Sequence, residues 1–180
     1  MKSDRVWLLA AGLALAAIVI GYRIVLINKT ADAPRMAAAP QTAIFDLVLT
    51  DVDGKTQSLQ QWRGKILVLN YWATWCFPCR EEMPGFSRLQ TKYQDKGVQF
   101  VGISIDEAPK IIEFQKETPV SYPLLIGDMK TMTNSAELGN SRQALPFTVV
   151  FDRNGQPAMS KLGRWNEADL EPKLLELISR

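Results

Sequence analysis

The sequence predicts an α/β domain in which a central mixed sheet carries helices on both faces. Three observations point there. Two apolar runs, ILVLNYWA (66–73) and VQFVGISI (98–105), are separated by a stretch of helical periodicity, the pattern of strands covered on both sides and joined by a helix. Two segments with turn dipeptides at their centres read as hairpins. An amphipathic pattern, NEADLEPKLLELISR, ends the chain as a helix.

Residues 1–27 come first. Lys2 and Arg5 precede an unbroken apolar run over 6–22, and a shorter run beyond Arg23 reaches Ile27. As a helix rising about 1.5 Å per residue, 6–27 would cross a hydrocarbon layer of about 30 Å, with Arg23 snorkelling toward one end. A terminal position behind basic residues favours a membrane segment over a buried core helix. Ala37, Ala38 and Ala39 lie well past the apolar run and precede Pro40, a poor cleavage site, so an uncleaved signal-anchor is the expectation. Basic residues flank the run on both sides, so charge alone sets its orientation weakly. Residues 28–42, with two prolines and no apolar periodicity, read as a linker. The folded domain is expected over 43–180.

Within it, IFDLVLT and TQSL form a hairpin around the Asp-Gly of DVDG, and ILVLNYWA follows as a buried central strand. From Pro78 onward Met83, Phe86, Leu89 and Tyr93 recur three and four apart, a helix kinked at Pro84 and ended by Gly97. VQFVGISI is the second buried strand, EAPKIIEFQKET a second helix, YPLLIGD a short strand, and 133–138 a weak helix. FTVVFD, the turn RNG and QPAMSKLG make the second hairpin, and Asn166 stands where it caps the last helix.

Composition narrows the chemistry. A formal net charge of +2 gives a polyanion nothing to follow, so nucleic acid is not an expected partner. There is no histidine, which removes His-based triads, His zinc ligands and proximal-His haem ligation. Proton transfer falls to carboxylates, thiols, amines or water.

The two cysteines, Cys76 and Cys79, stand three apart in WATWCFPCR. Zinc needs four ligands, and this pair supplies two with no third cysteine and no histidine, so no metal site is expected. Covalent haem attachment reads CxxCH, and position 80 is Arg80. As a staple the bond would be weak, since closing a loop of about four residues stabilises by roughly 2 kcal/mol against about 4.7 for a loop of 100. Residues three apart at a helix start nevertheless sit about 5 to 6 Å apart, which suits a disulfide. A bond of that kind is better suited to opening and closing than to holding a fold. Cys76, at the helix N-terminus, faces unpaired N–H groups and the positive end of the helix dipole, which favour a thiolate. It is the expected nucleophile, and Cys79, one turn in, the thiol that resolves the mixed disulfide. Pro78 fits the first turn without losing a hydrogen bond.

NYWATWCFPCREEMP resembles the active-site region of the thioredoxin superfamily, and in particular of its membrane-tethered, extracytoplasmic TlpA/ResA/CcmG-like thiol-disulfide oxidoreductases. The N-terminal hairpin, SLQQWRGK, the extra segment between Val98 and Leu145, and ALPFTVVFDRNG extend the likeness over roughly 44–179. It implies a thioredoxin-like fold with an N-terminal β-hairpin extension and an insertion between the second core strand and a cis-proline loop. Pro146 matches that proline, and Trp75, Phe77, Pro78, Leu145 and Pro146 would form the substrate-contact surface. Trp72 reads as packing. The resemblance implies no cofactor beyond the Cys76–Cys79 disulfide. It further implies protein disulfides as substrates, apocytochrome c among them, a membrane thiol donor of the DsbD/CcdA type, and a bacterial inner-membrane protein whose soluble domain faces the periplasm.

Where thioredoxin buries an aspartate before the motif, this chain has Asn70, which cannot accept a proton. Glu82 matches the acidic residue that many ResA-like proteins carry after CxxC and would take over deprotonation of the inner thiol. The alternative is that Glu81 and Glu82 are ordinary first-turn acids. Rival functions also stand: a thiol oxidase or disulfide isomerase on the same fold, or a non-catalytic assembly or chaperone module. A thioredoxin-fold peroxidase needs PxxxTxxC, and Thr74 stands two rather than three positions before Cys76.

Overall fold

A computed structural model describes residues 43–180; the expected anchor and linker, 1–42, lie outside the described residues. Among the described residues no helix is long and apolar enough to cross a membrane. The order is β1 (Val48–Asp51), β2 (Thr56–Ser58), β3 (Ile66–Trp72), α1 (Phe77–Tyr93), β4 (Val98–Ser104), α2 (Ala108–Glu117), β5 (Leu124–Ile126), α3 (Met129–Glu137), β6 (Phe147–Phe151), β7 (Pro157–Leu162) and α4 (Glu167–Ile178). The seven strands form one sheet in the order β2-β1-β5-β4-β3-β6-β7. β4 pairs in parallel with both β3 and β5, while the hairpins and the β3–β6 pair are antiparallel. The result is the thioredoxin-like fold. The N-terminal hairpin extends the sheet beyond β5, and α2, β5 and α3 are the expected insertion.

Alternation along β3 divides the core. Ile66, Val68 and Trp72 point to one side, where they meet Met83, Phe86 and Leu89 of α1, Ile111 and Phe114 of α2, and Leu170 and Leu174 of α4. Leu67, Leu69 and Tyr71 point to the other, against Phe45, Leu59, Trp62 and Met132 of α3. Every residue of β3 is buried, the condition its unbroken apolar run predicts.

Three local expectations need correction. Residues 43–46 form a 3-10 turn, so the first strand begins only at Val48, where pairing with Ser58 starts. Pro84 lies inside α1, as expected: it removes one backbone donor, and the helix continues to Tyr93 under tertiary packing of its apolar face. α3 starts at Met129 rather than 133, because the Asp128 side chain accepts the Thr131 N–H (2.8 Å) while Thr131 Oγ1 accepts the Asp128 N–H (3.3 Å). Asn166 occupies the N-cap of α4 with extended backbone, but its side chain makes no capping bond.

Candidate active site

β3 runs into a short loop that ends on Cys76, which is the N-cap of α1, with Pro78 in the first helical turn. Cys76 and Cys79 are joined as a disulfide with their Cα atoms 5.3 Å apart, inside the span expected for residues three apart at a helix start. Cys79 is fully buried and Cys76 is 5% exposed, so the small asymmetry favours the outer sulfur. Trp75 and Phe77, on either side of Cys76, are 68% and 70% exposed. Trp72 packs at 4.9 Å from the Phe114 ring and is buried, in keeping with its reading as core.

The Leu145–Pro146 peptide is cis. Tyr71 pairs with Phe147, so the next residues outward, Trp72 and Pro146, lie at the same end of the sheet from which the chain turns to Cys76. The Pro146 carbonyl accepts the Gly163 N–H at 2.8 Å, which ties this loop to the end of β7.

Glu82 lies one turn beyond Cys79 and faces inward, 2% exposed. Its Oε1 accepts Asn70 Nδ2 at 2.8 Å and its Oε2 accepts the Trp165 N–H at 2.7 Å. The second Asn70 donor goes to Thr148 Oγ1 at 3.0 Å. Burial pushes the carboxyl pKa up to about 7, while the Trp165 amide, the Asn70 amide and the charges of Arg164 and Lys161 act the other way. A first-turn surface acid would be solvated; Glu81, exposed and paired with Arg164 at 2.9 Å, is that residue instead. Asn70 therefore stands on the strand as a donor that orients Glu82, so the acid sits on the helix in place of the strand. Among the described residues Asn70 Oδ1 and the Tyr122 hydroxyl have no hydrogen-bond partner. Burial first, and the Glu82 charge second, raise the Tyr122 pKa well above its ordinary value.

Asp106 carries no sequence signal that marks it. It is buried just past β4, and its Oδ2 accepts the Thr74 N–H at 2.6 Å and Ser104 Oγ at 3.3 Å. This carboxylate fixes the loop that delivers Trp75 and Cys76. Trp165 contributes through its backbone amide, which no side-chain pattern reports. Among the described residues no three His, Cys, Asp or Glu side chains gather as a metal site.

A seven-stranded thioredoxin-like sheet that presents a CxxC disulfide at a helix N-terminus beside a cis-proline loop defines a dithiol-disulfide protein. The chain belongs to the AhpC/TSA family, whose model matches residues 40–158. It is 31% identical over 174 residues to the thiol-disulfide oxidoreductase ResA of Geobacillus kaustophilus, covering 96% of each chain. Among solved structures it resembles a putative thiol:disulfide interchange protein DsbE from Chlorobium tepidum at 26% identity, with a TM-score of 0.65 over 74% of this chain and 93% of that one. It also resembles a thioredoxin-related protein from Neisseria meningitidis serogroup B at 38% identity, with a TM-score of 0.61 over 73% of this chain and 99% of that one.

Proposed function

We propose that this chain is a thiol-disulfide oxidoreductase that works as a reductant of protein disulfides, tethered by residues 1–27 to the bacterial inner membrane with its domain facing the periplasm. The single observation that carries the reaction is a buried carboxyl, Glu82, one turn beyond the buried sulfur of a CxxC pair. In the reduced form the Cys76 thiolate attacks one sulfur of the substrate disulfide, forming the Cys76–substrate bond and expelling the other substrate sulfur as a thiolate. Glu82 takes the proton of Cys79, whose thiolate then attacks Cys76, restoring the Cys76–Cys79 bond and releasing the second substrate thiolate. Two electrons pass from the enzyme dithiol to the substrate, and protons from Glu82 and solvent neutralise the released thiolates. A carboxyl with a pKa near neutrality is suited to that exchange.

Trp75, Phe77, Pro78, Leu145 and Pro146 form the surface on which an extended substrate segment lies, with the backbone beside Pro146 pairing to it. A reductase in an oxidising compartment must be recharged, so a membrane thiol donor of the DsbD/CcdA type supplies the electrons, and disulfides of apocytochrome c are candidate substrates.

Reduction of a disulfide-bonded protein by the chemically reduced chain tests this reading, with Cys76→Ser expected to abolish turnover; equal activity in that variant ends it. Equilibration against glutathione separates a reductase from an oxidase or isomerase by the potential of the pair. Function that survives loss of both cysteines would favour an assembly module. The mass of the mature protein shows whether residues 1–27 remain attached.

A further inference from the structure

Between α1 and α4 a cleft of about 400 Å³ is lined by Glu81, Glu82, Arg164, Asn166, Glu167 and Glu171. A water takes about 30 Å³ of the liquid, so several fit, and solvent reaches the buried Glu82 carboxyl from this side. Asn166, whose side chain makes no capping bond, lines the cleft instead. Three successive residues of the β7–α4 turn arrange it. The Gly163 N–H donates to the Pro146 carbonyl at 2.8 Å, Arg164 Nη1 donates to Glu81 Oε2 at 2.9 Å, and the Trp165 N–H donates to Glu82 Oε2 at 2.7 Å. The Arg164 backbone is thereby pinned on both sides, one residue from the Glu82 donor.

Charged and titratable groups surround Glu82 from several elements. On the α1–α4 flank Arg88 donates twice to Glu167 Oε2, at 2.8 and 2.6 Å, and Glu171 accepts from Lys92 and the Tyr93 hydroxyl. From the segment before β5, the buried Tyr122 hydroxyl stays neutral. From β7, Lys161 lies over the Trp165 ring at 5.9 Å. Glu81 and Arg164 are half-exposed and stand at the outer end of the cleft, with the buried acid behind them. Burial favours the neutral acid; of the two cations that oppose it, Arg164 acts more strongly and Lys161 less.

We propose that Arg164 is the positioning residue of this acid: held across the mouth of the cleft by Glu81, its guanidinium gives the Glu82 carboxylate a counter-charge, so that the acid can receive the proton of Cys79 while substrate covers the dithiol. The step is a proton transfer alone. The Cys79 S–H bond breaks, a Glu82 O–H bond forms, and the proton then passes to water in the cleft. The proposal rests on the oxidoreductase reading and names the residue that sets its acid.

The test uses full-length protein, reduced and mixed with one equivalent of the aromatic disulfide dithiobis(nitrobenzoate). Capture by Cys76 releases a first coloured thiolate and attack by Cys79 a second, and the rate of the second release is followed from pH 5 to pH 9. That rate should rise with pH through the titration of Glu82, near 7. Arg164→Gln should move the rise up by about half a pH unit, a modest shift because solvent screens a half-exposed charge, and so slow the step about threefold at pH 6. Arg164→Lys, which keeps the charge, should leave the rise in place. Glu81→Gln still offers an oxygen to Arg164 but removes a negative charge, so it should move the rise down and speed the step about threefold at pH 6. A residue that only braces the turn would change the rate at every pH without moving the rise. An unmoved rise in Arg164→Gln, an equal move in Arg164→Lys, or moves of the same sign in the two Gln variants overturns the proposal alone. Absence of the first release from the wild type removes the oxidoreductase reading and the proposal with it.

Discussion

Replacing Glu82 by Gln should reverse the sign of its effect on stability between pH 5 and pH 9. The folded carboxyl titrates near 7 against 4.5 in the unfolded chain, a difference of about 2.5 units. At about 1.4 kcal/mol per unit, ionising Glu82 costs the fold about 3 kcal/mol relative to the unfolded chain. The folded value is the higher one, so the fold is free of this cost below pH 4.5, and the stability it has there is lost progressively as the pH rises through 7. Gln is neutral throughout, but both partners of the side chain, Asn70 Nδ2 and the Trp165 N–H, are donors, and a Gln NH2 cannot accept from either. One bond is lost, at about 1–3 kcal/mol. At pH 5 the variant should therefore be less stable by about 1–2 kcal/mol, and at pH 9 more stable by a similar amount. Urea titrations of the oxidised wild type and variant at pH 5, 6, 7, 8 and 9 read the difference directly. A gap that stays constant with pH refutes the assignment of a raised pKa to this carboxyl.

Cys79→Ser should accumulate a mixed disulfide between Cys76 and substrate, detected as an adduct mass, whereas free turnover in that variant would remove Cys79 as the resolving thiol. Asp106→Ala leaves the Thr74 N–H without its acceptor and should cost about 1–3 kcal/mol in urea titration while slowing attack by Cys76; unchanged stability and rate would show that the loop holds itself. At Gly102 an added Cβ would stand 2.7 Å from Leu124 Cδ2 and 3.0 Å from Trp72 Nε1. Gly102→Ala should accordingly destabilise by about 1–3 kcal/mol through overpacking, and a change below about 0.5 kcal/mol would show that Leu124 yields freely.

Elements of this chain are legible in its sequence where a local rule has one dominant cause. β3 and β4 were legible because strands buried on both faces need unbroken apolar runs, and α1 because Met83, Phe86, Leu89 and Tyr93 repeat on one helical stripe. Boundaries failed where several weak terms compete. The start of α3 is set by Asp128 and Thr131, a reciprocal cap with Thr in place of the usual Glu or Gln, and at Asn166 a good capping residue sits in the right place with its side chain unused.

The sequence by itself determined the cysteine pair, its place at the start of a helix and the exclusion of histidine chemistry, because spacing and residue type decide these within a few residues; the proline opposite followed only from the family resemblance. Only the tertiary structure decided that Glu82 is an interior acid rather than a surface one. Its character comes from Asn70 twelve residues away and the Trp165 amide 83 residues away, and from the burial they share. The same holds for Asp106 under Thr74. Dielectric surroundings and hydrogen-bond partners belong to positions in space, and a linear pattern specifies them only after the chain has folded.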